Sequence, residues 1–130
     1  QYSINWDMKL EKIGPYNFKI TRTRVTDENS PVEFLLPEHK VLNNPNKITQ
    51  DDFTGWVQER GIYFAGELAP EYVAPLAFTD PNEQPQNGSL IIAQYGKGTF
   101  MYTGLAFFRE LPAGVAGAYR LMLNMIEYKP

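Results

Sequence analysis

The chain predicts a mixed α/β domain closed by a C-terminal helix. Three observations carry that expectation. Ser89–Tyr95 and Thr99–Thr103 are β-rich runs joined by Gly96-Lys97-Gly98, the link that a tight hairpin with positive-φ positions requires. Val115, Ala118, Tyr119, Met122, Met125 and Ile126 recur at helical spacing and give a helix over about Val115–Tyr128 one apolar face. The 130 residues, 43% of them apolar, suffice for one core and are too few for two ordinary domains.

The remaining elements follow in chain order. Residues 1–16 read as having no clear periodicity and end in the turn signal Ile13-Gly14-Pro15-Tyr16. Phe18–Val25 alternates in character and is rich in β-formers, so it predicts a half-exposed strand. Asp27–Pro31 is a loop, and Val32–Leu36 a short strand stopped by Pro37. Asn43–Asn46 is a second polar loop. Thr49 followed by Asp52 has capping-box spacing and opens a helix over Gln50–Val57, ended by Gly61. Ile62–Ala65 predicts a strand. Tyr72–Phe78 is β-like, with Pro75 confining it to an edge or a bulge. Thr79–Gly88 is a polar loop, and Leu111–Gly114 a loop before the last helix.

Composition narrows the function classes. Net charge is −3 and the twelve Lys and Arg are scattered, whereas nucleic-acid binding requires clustered cations. The absence of cysteine removes disulfides, thiolate metal sites and a Cys nucleophile. No apolar run approaches the roughly 20 residues that cross a bilayer. The chain starts at Gln1 and its first methionine is Met8, which is expected of a piece cut from a larger polypeptide.

Few residues offer chemistry. His39, the sole histidine, lies between Glu38 and Lys40 and is better read as a surface or capping residue than as a base. Asp51 and Asp52 are neighbours that do not share a helix face, so capping explains them better than paired acid–base work. Trp56, Glu59 and Arg60 form the most site-like group. A Trp ring beside a carboxylate and a guanidinium can hold a sugar. The competing reading is an internal ion pair under a core Trp. Arg109 and Glu110 lie in a loop, Phe107–Pro112, after a β-rich run, where α/β sheets gather ligands. The adjacent Phe107 and Phe108 read either as a buried plug or as a surface on which another domain docks. No metal site is expected in this segment.

Four collinear blocks carry a family resemblance. They are Thr26-Asp27-Glu28-Asn29-Ser30-Pro31-Val32, Asn44-Pro45-Asn46-Lys47-Ile48-Thr49, Gly55-Trp56-Val57-Gln58-Glu59-Arg60-Gly61, and Tyr102 to Gly114 with its Leu-Ala-Phe-Phe-Arg-Glu-Leu-Pro core. Together they resemble the C-terminal region of large bacterial PIG-L/LmbE-type N-acetylglucosaminyl deacetylases. The resemblance implies a class I glutamine amidotransferase-like, flavodoxin-like three-layer domain with a mixed sheet. It places Gln1-Tyr2 at the end of a core parallel strand, so that residues 1–130 form one domain lacking its N-terminal βα units. It implies a non-catalytic accessory domain, with packing against upstream domains or carbohydrate recognition as its role. The catalytic zinc is then expected upstream, on a His-Pro-Asp-Asp-type motif that this segment lacks. Two other readings stay open: a degenerate amidotransferase-like hydrolase whose active residues precede Gln1, and a stand-alone carbohydrate-binding module. A parent of this family also implies a secreted or periplasmic setting.

Overall fold

The computed structural model describes residues 13–130, and the expected strand end at Gln1-Tyr2 lies outside them. It is a mixed α/β fold of small antiparallel sheets and a C-terminal helix. The strands are β1 (Lys19–Ile20), β2 (Arg24–Val25), β3 (Val32–Phe34), β4 (Gly61–Ile62), β5 (Ala65–Gly66), β6 (Leu76–Phe78), β7 (Leu90–Tyr95) and β8 (Gly98–Thr103). Helix α1 is a single turn, Phe107–Glu110, and α2 spans Ala116–Ile126. Short 3-10 turns occupy Lys40–Leu42 and Gln50–Phe53.

The β7–β8 hairpin forms where the sequence places it, over six residues on each strand. Its link is two residues rather than three, because Gly98 pairs with Tyr95 and belongs to β8. Gly96 takes φ +58°, the conformation for which a two-residue turn selects glycine. Expected strands Phe18–Val25 and Ile62–Ala65 do pair with each other, but in two pieces. Lys19 and Ile20 face Gly66 and Ala65, whereas Arg24 and Val25 face Ile62 and Gly61. Three residues, Thr21 to Thr23, therefore lie opposite two, Tyr63 and Phe64, which is a one-residue bulge. The Thr21 hydroxyl donates to the Phe64 carbonyl at 2.7 Å and accepts the Thr23 N–H at 3.1 Å, satisfying the interrupted ladder. Tyr63 at φ +60° supplies the bend on the other side.

Two helical expectations are corrected. The Gln50–Val57 helix shrinks to the Gln50–Phe53 turn, since Thr54 is already extended and Gly55 sits at φ +77°. The Phe107–Glu110 stretch, expected in a loop, is one turn of α-helix. Tyr72–Phe78 contributes strand only at Leu76–Phe78; upstream, Val73 makes an isolated bridge to Ile92 and the Pro75 carbonyl accepts from Leu35 and Leu36.

β7 is the centre of the molecule. Its residues alternate between two cores, as a strand buried on both faces must. Leu90 and Ile92 join Phe53, Trp56, Phe64, Phe78, Leu105, Phe107, Ala118 and Leu121 on one side. Ile91 and Ala93 join Phe18, Ala65 and Tyr72 on the other. Each buried Phe or Leu contributes about 1.5–3 kcal/mol. Helix α2 closes the first core through Ala118 and Leu121 and crosses the Gln50–Phe53 turn at backbone contact. A Cβ on Gly117 would sit 1.7 Å from the Asp52 carbonyl oxygen. Buried Asn124 fastens the same helix, donating to the Val41 and Asn46 carbonyls and accepting the Asn46 N–H. No helix of the described residues is long and apolar enough to cross a membrane.

Candidate functional site

The two groups that the sequence offers separately, Trp56-Glu59-Arg60 and Phe107 to Glu110, come together in space. Segment 57–60 runs beside α1, with the Ala106 N–H donating to the Arg60 carbonyl at 3.0 Å. The Val57 N–H donates to Glu110 Oε1, and the Trp56 and Phe107 rings lie 6.3 Å apart. Gln58 at φ +72° directs its N–H to the Glu28 carboxylate. The bend in the chain at residues 57–58 is thus held by two carboxylates distant in sequence, Glu110 of α1 and Glu28 of a loop.

Each charged group has a defined place. Arg60 is buried, its guanidinium donating to the Phe53 and Ser30 carbonyls and lying 5.8–6.0 Å from the rings of Phe53, Trp56 and Phe78. Burial lowers its pKa to about 10, while Asp27, Glu110 and Glu28 pull it back up, so it stays protonated at neutral pH. Glu59 is shared between two cations, Arg24 at 3.2 Å and Arg109 at 3.6 Å. At 3.6 Å the Arg109 contact is an ion pair and not a hydrogen bond, which is why Arg109 Nε still lacks a hydrogen-bond partner among the described residues. Glu110 is 0% exposed, and its Oε2 has no hydrogen-bond partner among those residues. Burial pushes the Glu110 carboxyl up, against the Val57 N–H and the charges of Arg60 and Arg109.

This geometry corrects the sugar-binding reading of the group. Trp56 is 3% exposed, its indole N–H donates to the Asp52 carbonyl at 2.9 Å, and no ring face is open for stacking. Glu59 does not pair with its neighbour Arg60: its carboxylate faces Arg24 and Arg109, while the Arg60 guanidinium turns inward to the Phe53 and Ser30 carbonyls. Arg24 is the partner that the sequence reading missed. Its signal was the alternation in Phe18–Val25, which sends Arg24 to the open face of the strand, where Glu59 arrives. Phe107 and Phe108 separate: Phe107 plugs the core, while Phe108 is 46% exposed with the Arg109 guanidinium 4.8 Å over its ring.

Other candidates lie elsewhere and serve structure. His39 caps the Lys40–Leu42 turn, its Nδ1 accepting the Val41 N–H at 3.2 Å, and stacks on Tyr128; burial lowers its pKa. Asp52 accepts the Thr49 N–H at 2.8 Å and pairs with Arg120 at 2.7 Å, while Asp51 is exposed. Among the described residues no three His, Asp or Glu side chains converge as metal ligands. The cluster can therefore hold buried charge and fix the 57–60 segment, but its carboxylates are pinned or enclosed rather than open to a substrate. No protein-family model, curated protein or solved structure matches the chain.

Proposed function

We propose that this chain is a non-catalytic accessory domain of a PIG-L/LmbE-like deacetylase and that it packs against upstream domains of the same polypeptide. The family part of this reading rests on the four collinear sequence blocks. So do the flavodoxin-like layering, which would be completed by units preceding Gln1, and the secreted or periplasmic setting of the parent. Zinc chemistry in such a parent belongs to the upstream domain.

The observation that carries the docking role is the contrast within α1. Its buried side is rigidly tied, through Phe107 and Glu110, while Phe108 and Arg109 present an aromatic ring under a guanidinium to the outside. Val57, whose N–H bonds Glu110, adds exposed apolar surface from the adjoining segment. Aromatic and arginine side chains on a fixed support are what a docking face uses, because little side-chain entropy is lost on contact.

Two measurements test this. The reading frame upstream of Gln1 should encode a His-Pro-Asp-Asp-type zinc motif; its absence would overturn the family assignment. Hydroxyl-radical footprinting should label Phe108 several-fold less in the whole polypeptide than in the isolated 130-residue chain. Equal labelling would overturn the docking role whatever the parent is.

A further inference from the structure

His39 stands at a joint between two elements. It is the N-cap of the Lys40–Leu42 turn, and its Nδ1 accepts the Val41 N–H at 3.2 Å. A ring nitrogen that accepts carries no proton, so this geometry requires the neutral imidazole with its hydrogen on Nε2. The other side of the joint is the end of α2. The His39 ring stacks on Tyr128, two residues past that helix, with centroids 5.6 Å apart and planes 5° from parallel. Tyr128 in turn packs against the main core.

Val41 ties the turn to the helix through both of its backbone groups. Its N–H is held by His39, and its carbonyl accepts from Asn124 Nδ2 of α2 at 2.8 Å. Val41 is fully buried, and among the described residues its N–H has no second acceptor. Protonating Nδ1 turns that acceptor into a donor aimed at a donor, and the buried N–H is left unsatisfied. Turning the ring away to relieve the conflict breaks the stack on Tyr128. The turn and the residues after α2 therefore respond to one proton. The surrounding charges balance. Glu38 and Lys40 flank the ring in the chain, Glu127 and Lys129 flank Tyr128, and all four are exposed. None of them pairs with His39 among the described residues. The half-buried ring itself has its pKa lowered by burial.

We propose that His39 is an acid-sensitive latch: the neutral ring clamps the Lys40–Leu42 turn to the end of α2, and its protonation frees Tyr128 and loosens the turn. The closed form favours the neutral ring. The latch therefore holds fully above the ordinary histidine value of about 6.5 and opens as pH falls through the lower folded value. It is independent of the family assignment.

An NMR titration of the 130-residue chain from about pH 8 down to about pH 5 tests it. His39 is the sole histidine, so its imidazole signals are assigned without ambiguity. At the upper end they should show the Nε2–H tautomer and NOEs to the Tyr128 ring. As the ring titrates, with a midpoint below about 6.5, those NOEs should disappear. The Val41 amide should lose at least about tenfold in protection, measured against a free amide at the same pH. His39→Asn caps the turn without titrating, and in that variant Val41 protection and the Tyr128 ring signals should stay constant over the same range. An Nδ1–H tautomer, a midpoint at or above about 6.5, or NOEs and protection that survive protonation would overturn the latch. A variant that shows the same acid transition would overturn it too, by assigning the transition to another group. If the variant does not fold, the imidazole midpoint and the Tyr128 NOEs of the unaltered chain decide alone.

Discussion

Asp80, just after β6, and Glu110, in α1, are both buried carboxylates, and the protein treats them in opposite ways. Asp80 accepts three hydrogen bonds, from the Thr26 N–H at 2.9 Å, the Thr26 hydroxyl at 3.1 Å and the Asp27 N–H at 2.9 Å. Glu110 accepts one, from Val57. Burial raises both pKa values. At Asp80 the three donors, helped by the charge of Arg24, outweigh burial and hold the carboxyl below its ordinary value. At Glu110 one donor and two nearby arginines do not, and its pKa is raised. The number of donors delivered to the oxygens decides whether a buried carboxylate fastens a loop or strains it.

The largest effect should come from removing the well-served carboxylate. Asp80→Ala leaves the Thr26–Asp27 turn without its acceptor and should cost about 2–4 kcal/mol in urea unfolding at neutral pH. Because the folded pKa of Asp80 is depressed, its contribution is present above the usual aspartate range near about 3.9. It fades as pH falls through the lower folded value, so the gap to the variant should narrow in acid. A loss under about 0.5 kcal/mol would show that the three bonds merely replace water.

Glu110→Gln should act with the opposite sign. A raised folded pKa makes the contribution of Glu110 most favourable below the ordinary glutamate value near about 4.3, and that contribution is lost as pH rises through the folded value. Glutamine keeps an acceptor for the Val57 N–H and cannot ionise. The variant should match the parent chain near pH 4 and exceed its stability at pH 8, by less than Asp80→Ala loses. A variant less stable than the parent at pH 8 would mean that the attraction of Arg60 and Arg109 dominates burial.

The same contrast separates what the sequence discloses from what it hides. The hairpin and α2 were legible because their signals are local: a glycine turn between β-formers, and an apolar period of 3.6. The Phe18–Val25 strand was legible in extent but not in continuity, since the bulge at Thr21–Thr23 arises only when two distant segments are paired. The Gln50–Val57 helix failed at Gly55, where a positive φ outweighed the capping signal at Thr49 and Asp52. At the candidate site the residues were found but their partners were not. Glu59 and Arg60 sit side by side in sequence, yet Glu59 is held by Arg24 and Arg109, and Arg60 by the carbonyls of Phe53 and Ser30. Long-range partners leave no mark on a local pattern. Asp80, in a polar loop that offered no motif, became an anchor for the same reason.

The smallest effect should be at Phe108, and it sharpens the comparison because its neighbour is a core residue. Consecutive residues on a helix turn about 100° apart, so the pair Phe107-Phe108 cannot share one environment. Phe107 takes the core, at 1% exposure, and Phe108 is left half outside beneath Arg109. Phe108→Ala removes a half-buried ring together with a cation–π contact worth about 0.5–1 kcal/mol. Urea unfolding of the isolated chain should therefore register a loss of about 1–2 kcal/mol. A loss near the about 3–5 kcal/mol of a core phenylalanine would place Phe108 in the packing of this domain, and would remove the surface on which its docking role depends.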